Sequence, residues 1–502
     1  MNKAVLVLDK DFSISSIDPR VYGGFAEHLG RHIYTGIYEP GHPTADENGL
    51  REDVISLVKD LKMPIMRYPG GNFVSGYNWE DGVGPRESRP RRLELAWGVT
   101  ETNQFGTNEF MDWCKKVGTE PMMAVNLGTR GPDDARRLVE YCNHPGGTQL
   151  SDWRKSHGWA EPHNVKVWCL GNEMDGPWQM SAKTAYEYGR VANESAKLMK
   201  WVDSSIETIL CGSSGRTMPT FGKWEWEALN ECYENVEYLS LHTYYNNREK
   251  DLASFLAEPD NMYDFISEAI SLCDAVKATK KSKKTINLSF DEWNVWYHSG
   301  SWNNNGERWD DVRPQLEDIY DMADVLVVGG MILSMLEHAD RVKVACIAQV
   351  VNVIAPIMTE PGGRAWRQSI YWPLFHASTY GRGTALRATV QAPKYDSKAR
   401  EQASVLKTVA TLSENGEELT IFAINRDPNR APLELDLDLR AFGNLTPIEH
   451  ITVANSNMDA VNSVDDESTV SPKTLSLAPL DGSKGTVTLE PLSWNVLRYK
   501  VG

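Results

Sequence analysis

Of the 69 acidic residues in this chain, two glutamates stand where chemistry is done. Glu173 lies in Trp168-Cys-Leu-Gly-Asn-Glu-Met-Asp-Gly-Pro-Trp178, and Glu292 in Leu288-Ser-Phe-Asp-Glu-Trp-Asn-Val-Trp296. Each follows an apolar, β-rich run directly and is flanked by amide and aromatic side chains. Cleaving a glycosidic bond needs an acid to protonate the departing oxygen and a carboxylate against the oxocarbenium-like carbon. With the two carboxyls about 5–5.5 Å apart, the second attacks the carbon itself and configuration is retained. On this reading Glu173 is the general acid/base and Glu292 the nucleophile, whose charge helps to keep Glu173 protonated. Asn172 can hydrogen-bond a hydroxyl beside the reacting carbon. One strand-end glutamate could equally be a salt bridge at a barrel rim; the pair, each with its flanking amide, favours catalysis.

Such a pair must be positioned by regular elements. Short β-rich runs at Val21–Ala26, Ile65–Tyr68, Met122–Asn126, Val165–Leu170, Ile206–Cys211, Val236–His242, Ile286–Phe290 and Val342–Ile347 alternate with helical patterns. The helices are expected at Asp53–Leu61, Glu109–Val117, Asp134–Cys142, Thr184–Trp201, Met262–Val276 and Leu316–Leu336. Alternation of this kind implies a parallel sheet, and eight strands fit an α/β fold of the (β/α)8 TIM-barrel type. Glu173 and Glu292 then follow strands four and seven, at the mouth where barrels of this kind do their chemistry. After about residue 385 the pattern changes. Leu433, Leu435, Leu437 and Leu439 alternate with Glu434, Asp436 and Asp438, and Asn415-Gly416 marks a hairpin. The expected organisation is a catalytic barrel over 16–385 and an all-β sandwich over 386–502.

The formal net charge of −17 argues against a nucleic-acid partner, which would need clustered cations. Seven scattered cysteines with no CxxC pair suggest neither a zinc knuckle nor a disulfide framework, but reduced, mostly buried thiols. The start, MNKAVLVLDKDF, is too short in apolar residues for a signal-peptide core, and the run Val325–Leu336 is too short to span a bilayer. A soluble cytoplasmic protein without a membrane partner is the expectation.

Longer motifs carry a resemblance. Gly23-Gly-Phe-Ala-Glu-His-Leu-Gly30, Gly36-Ile-Tyr-Glu-Pro-Gly41, Arg67-Tyr-Pro-Gly-Gly-Asn-Phe-Val-Ser-Gly-Tyr-Asn-Trp79 and Ala348-Gln-Val-Val-Asn-Val-Ile-Ala-Pro356, with the two glutamate motifs, occur in one order along essentially the whole chain. In this the chain resembles the α-L-arabinofuranosidases of glycoside hydrolase family 51. The resemblance implies a retaining exo-enzyme that removes terminal α-L-arabinofuranosyl units from arabinan, arabinoxylan or derived oligosaccharides. It places the acid/base at Glu173 and the nucleophile at Glu292, and sugar-binding roles at Glu27, Arg67, Asn72, Asn172, Tyr244 and Gln349. It further implies that residues 1–15 join the β-sandwich, that the enzyme is a homo-oligomer, often a hexamer, and that no metal or other cofactor is needed.

The residues themselves allow Arg67 to bridge Glu292 and Tyr244 to donate to it. Trp97 and Trp178, in loops over the mouth, are read as sugar contacts, whereas Trp296, Trp302 and Trp309 are read as core or interface. His28, His242 and His298 lack a metal-ligand spacing and are expected to bond carboxylates or hydroxyls. The polar stretch 299–314 reads as a loop or lid. The four arginines of Arg86–Arg92 read as an ion-paired loop. Two other readings stay open: another retaining barrel glycosidase, such as an endo-glucanase or β-xylosidase, and a non-catalytic carbohydrate-binding protein.

Overall fold

The computed structural model describes residues 2–298 and 306–502. Eight parallel strands close into a barrel: Gly23–Phe25, Ile65–Tyr68, Glu120–Val125, Val167–Leu170, Glu207–Cys211, Tyr238–Tyr245, Asn287–Val295 and Val342–Ala348. They are called here the first to eighth strands. All eight expected strands are present, with shifted ends. The first is shortest because Pro19–Tyr22 winds into a 3-10 turn capped by Asp18. It closes the barrel through Cys346↔Gly23, Ile347↔Gly24 and Gly24↔Met66. The approach there is tight: a Cβ on Gly23 would lie 2.6 Å from a methyl of Ile65 and 2.7 Å from the Ala345 carbonyl oxygen. The interior is filled by alternate inward residues, among them Phe25, Ile65, Met122, Val167, Ile209 and Val344.

The helices differ more from expectation. The run beginning at Leu316 becomes helical only at Met322, where Asp321 accepts from the backbone N–H groups of Ala323 and Asp324. Residues before it are irregular, with Leu316 at φ 55° and the Tyr320 N–H donating to Gln368 Oε1. The stretch expected at Met262–Val276 belongs to a longer helix, Leu252–Lys280, which takes Pro259 in its stride. Three short helices were not anticipated: Gln149–Ser156, Lys223–Cys232 and Tyr371–Tyr380.

The rest of the chain forms a β-domain. Nine strands hydrogen-bond in one continuous sheet that buries an apolar core of its own, including Leu435, Leu437, Ile421 and Leu497. Asn2–Ser16 is an inner strand of that sheet, antiparallel to Thr384–Gln391 and parallel to Leu433–Arg440. Asn415-Gly416 does turn the hairpin between Leu406–Leu412 and Glu418–Asn425, with Gly416 at φ 73°. Helix Met322–Leu336 is buried along its whole length, and the β-domain packs on it through Trp494. A Cβ on Gly329 would meet the Trp494 ring at 2.6 Å. Gly329→Ala should therefore force the indole or the helix to move, at about 2 kcal/mol of stability. The expected reading is a lower thermal midpoint with activity intact; an unchanged midpoint would mean that the ring can swing aside freely.

Candidate active site

A cavity of about 910 Å³ opens at the C-terminal ends of the strands and is lined by both candidate glutamates. Glu173 sits on the turn after the fourth strand. Gly171 and Glu173 both take left-handed backbone, with φ 86° and φ 43°. For a glutamate that conformation is strained, and strain of this kind persists where surrounding contacts dictate it. Here the Trp178 Nε1–H donates to Glu173 Oε2 at 2.7 Å, and His242 Nδ1 lies 3.0 Å from Oε1.

Glu292 is not beyond the end of its strand, as the sequence suggested, but within it. The seventh strand runs on to Val295, and its pairing with both neighbours slips between Ser289 and Trp293. Strict alternation would put Asp291 and Glu292 on opposite faces; the irregularity turns both towards the barrel mouth, while Phe290 and Trp293 pack in the core outside. Arg67 Nη1 donates to Glu292 Oε1 at 2.7 Å and the Tyr244 hydroxyl to Oε2 at 2.9 Å. Arg67 Nη2 donates to Asn172 Oδ1 at 2.7 Å, so one guanidinium fixes the amide and the carboxylate together. Asn172 Nδ2 in turn reaches Asn72 Oδ1 at 3.4 Å. A Glu173 oxygen and a Glu292 oxygen lie within 4.8 Å of each other.

The wall beside the first, second and eighth strands is built around Glu27. Its carboxylate accepts from the Phe73 backbone at 3.0 Å, Trp97 Nε1 at 3.1 Å and Gln349 Nε2 at 2.9 Å. Burial, then the nearby charge of Glu292, pushes Glu27 up to about 8 despite these donors. Trp97 is thus a buried hydrogen-bond donor that also lines the cavity, whereas Trp178 is half exposed.

Burial also raises Glu173 above the usual carboxylate range, and the charge of Glu292 adds to the effect. His242 pulls the other way. Burial disfavours its charged ring, but Glu292, Asp291 and Glu173 outweigh that and push it up to about 10. That shift favours the imidazolium at neutral pH. Asp291, buried between Arg67 and His242, is held below the usual range by them although burial opposes this. A pH prediction follows from the sign. Glu173 can donate only while protonated, and the cation beside it lowers its pKa. His242→Asn should move the alkaline limb of kcat/KM to higher pH; a limb that stays or moves down would show that His242 carries no charge there.

Glu173, His242 and Glu292 are also the group among the described residues whose donor atoms are spaced to share a cation. Each is engaged with the others or with Arg67, Tyr244 and Trp178.

All ten candidate residues therefore converge: eight line the cavity, and Arg67 and Asn172 stand directly behind it. Of the histidines, His242 joins them, and His298 lines the cavity stacked on Trp296 at 3.5 Å between ring centres. His28 points away, to Glu101 and Tyr68. Trp296, read as core, is part of the cavity lining. Trp302 and the first part of the suggested lid, 299–305, lie outside the described residues. Its remainder packs down, with the Trp309 N–H donating to the Gly98 carbonyl at 2.8 Å. Arg89, Arg91 and Arg92 are paired with Glu109, Asp311 and Asp81. All seven cysteines are buried and free.

Comparison with known proteins agrees with this geometry. Residues 57–265 match the family model of the α-L-arabinofuranosidase 1 domain, and 291–493 that of the α-L-arabinofuranosidase C-terminal domain. An intracellular exo-α-(1→5)-L-arabinofuranosidase of Halalkalibacterium halodurans is 56% identical over 99% of this chain and 98% of its own. One from Bacillus subtilis is 54% identical over 100% and 99%. The solved structure of a family 51 α-L-arabinofuranosidase from Bifidobacterium longum superposes with a TM-score of 0.95 at 42% identity, covering 99% of this chain and 100% of that one. A bifunctional glucanase-xylanase, at 12% identity and a TM-score of 0.63, shares the fold alone. The chain belongs to the α-L-arabinofuranosidases of glycoside hydrolase family 51.

Proposed function

We propose that this protein is a retaining, exo-acting α-L-arabinofuranosidase that releases terminal α-L-arabinofuranosyl units, with Glu173 as acid/base and Glu292 as nucleophile. The observation that carries the reading is the separation of the two carboxylates, within 4.8 Å. That is the spacing of direct attack; an inverting pair stands about 6.5–9.5 Å apart to admit a water.

In the first step Glu292 attacks the anomeric carbon while Glu173 gives its proton to the departing oxygen. The C–O bond breaks and a β-linked arabinosyl ester forms on Glu292. Arg67 and Tyr244 hold that carboxylate in line, each through one oxygen. In the second step Glu173, now an anion, takes a proton from water as the water attacks the same carbon, the ester bond to Glu292 breaks to return its carboxylate, and α-configured arabinose leaves. Glu27, Asn72, Trp97 and Gln349 wall the cavity on one side, which suits a terminal sugar better than a chain running through. Trp178 and Tyr244 border the bond that is cut.

The relatives' names support further detail: α-1,5-linked arabino-oligosaccharides as substrates and a cytoplasmic location. Residues 16–385 act as the catalytic unit and 1–15 with 386–502 as the β-domain, assembled as a homo-oligomer. The test is hydrolysis of p-nitrophenyl α-L-arabinofuranoside with methanol present. Methyl α-L-arabinofuranoside is the expected transfer product. The β anomer would refute retention, and turnover of aryl pyranosides alone would refute the sugar assignment.

A further inference from the structure

We infer that Lys398, carried by the β-domain, is a specificity-determining residue of the cavity arm that receives the departing oligosaccharide. The inference rests on the function proposed above and extends it to the leaving group. Strand order supplies the direction. Strands eight, one and two are neighbours, and around them stand Glu27, Asn72 and Gln349. The two glutamates stand on strands four and seven, and between those lie strands five and six. A terminal sugar seated against Glu27, with its reacting carbon between Glu173 and Glu292, must direct its leaving oxygen over strands five and six. The cavity continues there, along Ser214–Met218 and Tyr245–Asn247. At about 910 Å³ it is at the upper end of the size of ligand pockets, far more than one pentose fills.

The far wall of this arm has two sources. One is helix Leu252–Lys280, through Ser254, Glu258 and Asn261. The other is the β-domain, whose Lys398 and Ala399 reach across to it. That reach is fixed: the Ala399 N–H donates to Ser254 Oγ at 3.2 Å, and Arg400 Nη1 to Asp264 Oδ2 at 2.6 Å. Immediately before these anchors in the chain, the Lys398 side chain is 81% exposed, its Nζ 3.8 Å from Asp251 Oδ2. An exposed ammonium beside a pinned backbone at a cavity rim, with one long contact to Asp251, has donors left for sugar hydroxyls. The β-domain is then part of the specificity apparatus as well as a partner of the barrel fold.

The experiment compares linear α-1,5-arabinotriose with p-nitrophenyl α-L-arabinofuranoside, whose aglycone is too short to span the arm. For wild type, Lys398→Ala and Lys398→Arg, the ratio of the two kcat/KM values is measured. Lys398→Ala should lower the ratio about fivefold, the size of one charge-assisted hydrogen bond at an exposed site, through KM for the triose. Lys398→Arg should restore most of it. A ratio unchanged by Lys398→Ala, or lowered as much by Lys398→Arg, overturns the inference. Absence of wild-type turnover on the aryl arabinofuranoside would instead overturn the function on which it rests.

Discussion

Glu292→Ala should be almost inert, with turnover of p-nitrophenyl α-L-arabinofuranoside reduced by roughly four orders of magnitude or more. The substitution removes the atom that forms the covalent bond, and the good leaving group cannot compensate because nothing attacks the carbon. The fold should survive, since Arg67 keeps Asn172 and lies 3.6 Å from the Asp291 carboxylate. The vacated volume lies beneath the anomeric carbon, on the face opposite the leaving group. Azide placed there attacks with a single inversion, so the expected product is β-L-arabinofuranosyl azide. Proton NMR of the product decides the matter: an α-azide, or near-normal hydrolysis, would remove Glu292 from the nucleophile's role.

Glu173→Ala should behave differently with each leaving group. p-Nitrophenolate departs without a proton, so the first step survives, and the arabinosyl-enzyme then accumulates for want of a base. An arabino-oligosaccharide has a poor leaving group and should lose about 10²- to 10⁴-fold in rate. Azide should accelerate the aryl reaction by attacking the intermediate, and two inversions in sequence give the α-azide. An equal loss on both substrates, with no response to azide, would point to a binding role for Glu173. Because Trp178 and His242 both lose their acceptor in this variant, Glu173→Gln is a useful companion: its single amide oxygen can still accept from one of them, but it cannot supply the proton.

The barrel was legible because each strand is a short apolar run bounded by polar or glycine-rich turns, and burial on both faces leaves no other reading of Val167–Leu170 or Val342–Ala348. The helices were read less well, for local reasons. The helix expected from Met262 begins at Leu252, and Pro259 lies inside it, its ring packing where Gly330 leaves room. Lys223–Cys232 hides its apolar face among glutamates and tryptophans, and only Gly222 with Glu225 marks its start. At the site, the two glutamates declared themselves by following short apolar runs with amides and aromatics beside them. What could not be read was register: nothing in Phe290-Asp-Glu-Trp announces a slip that brings two adjacent acids to one side. Asp291 was hidden for that reason, whereas His242 bonds carboxylates as its place near the rim suggested. Lys398 was hidden for another, since it reaches the cavity from a domain that begins far along the chain.

The placement of Asn2–Ser16 inside the β-domain's sheet bears on how the molecule comes to exist. Its two neighbours, Thr384–Gln391 and Leu433–Arg440, leave the ribosome hundreds of residues after it. Until then Ala4, Leu6 and Leu8, all buried in the finished protein, have nothing to pair with, and the barrel must form with this strand waiting. Pairings so distant in sequence make the last stage of folding slow and leave an unsatisfied apolar ribbon exposed to other nascent chains. An affinity tag fused ahead of Asn2 would therefore burden an interior seam. Trimming the first sixteen residues would open two fresh edges in the middle of the sheet, on Thr384–Gln391 and Leu433–Arg440, and the barrel and the β-domain cannot be cut apart at a single point in the chain.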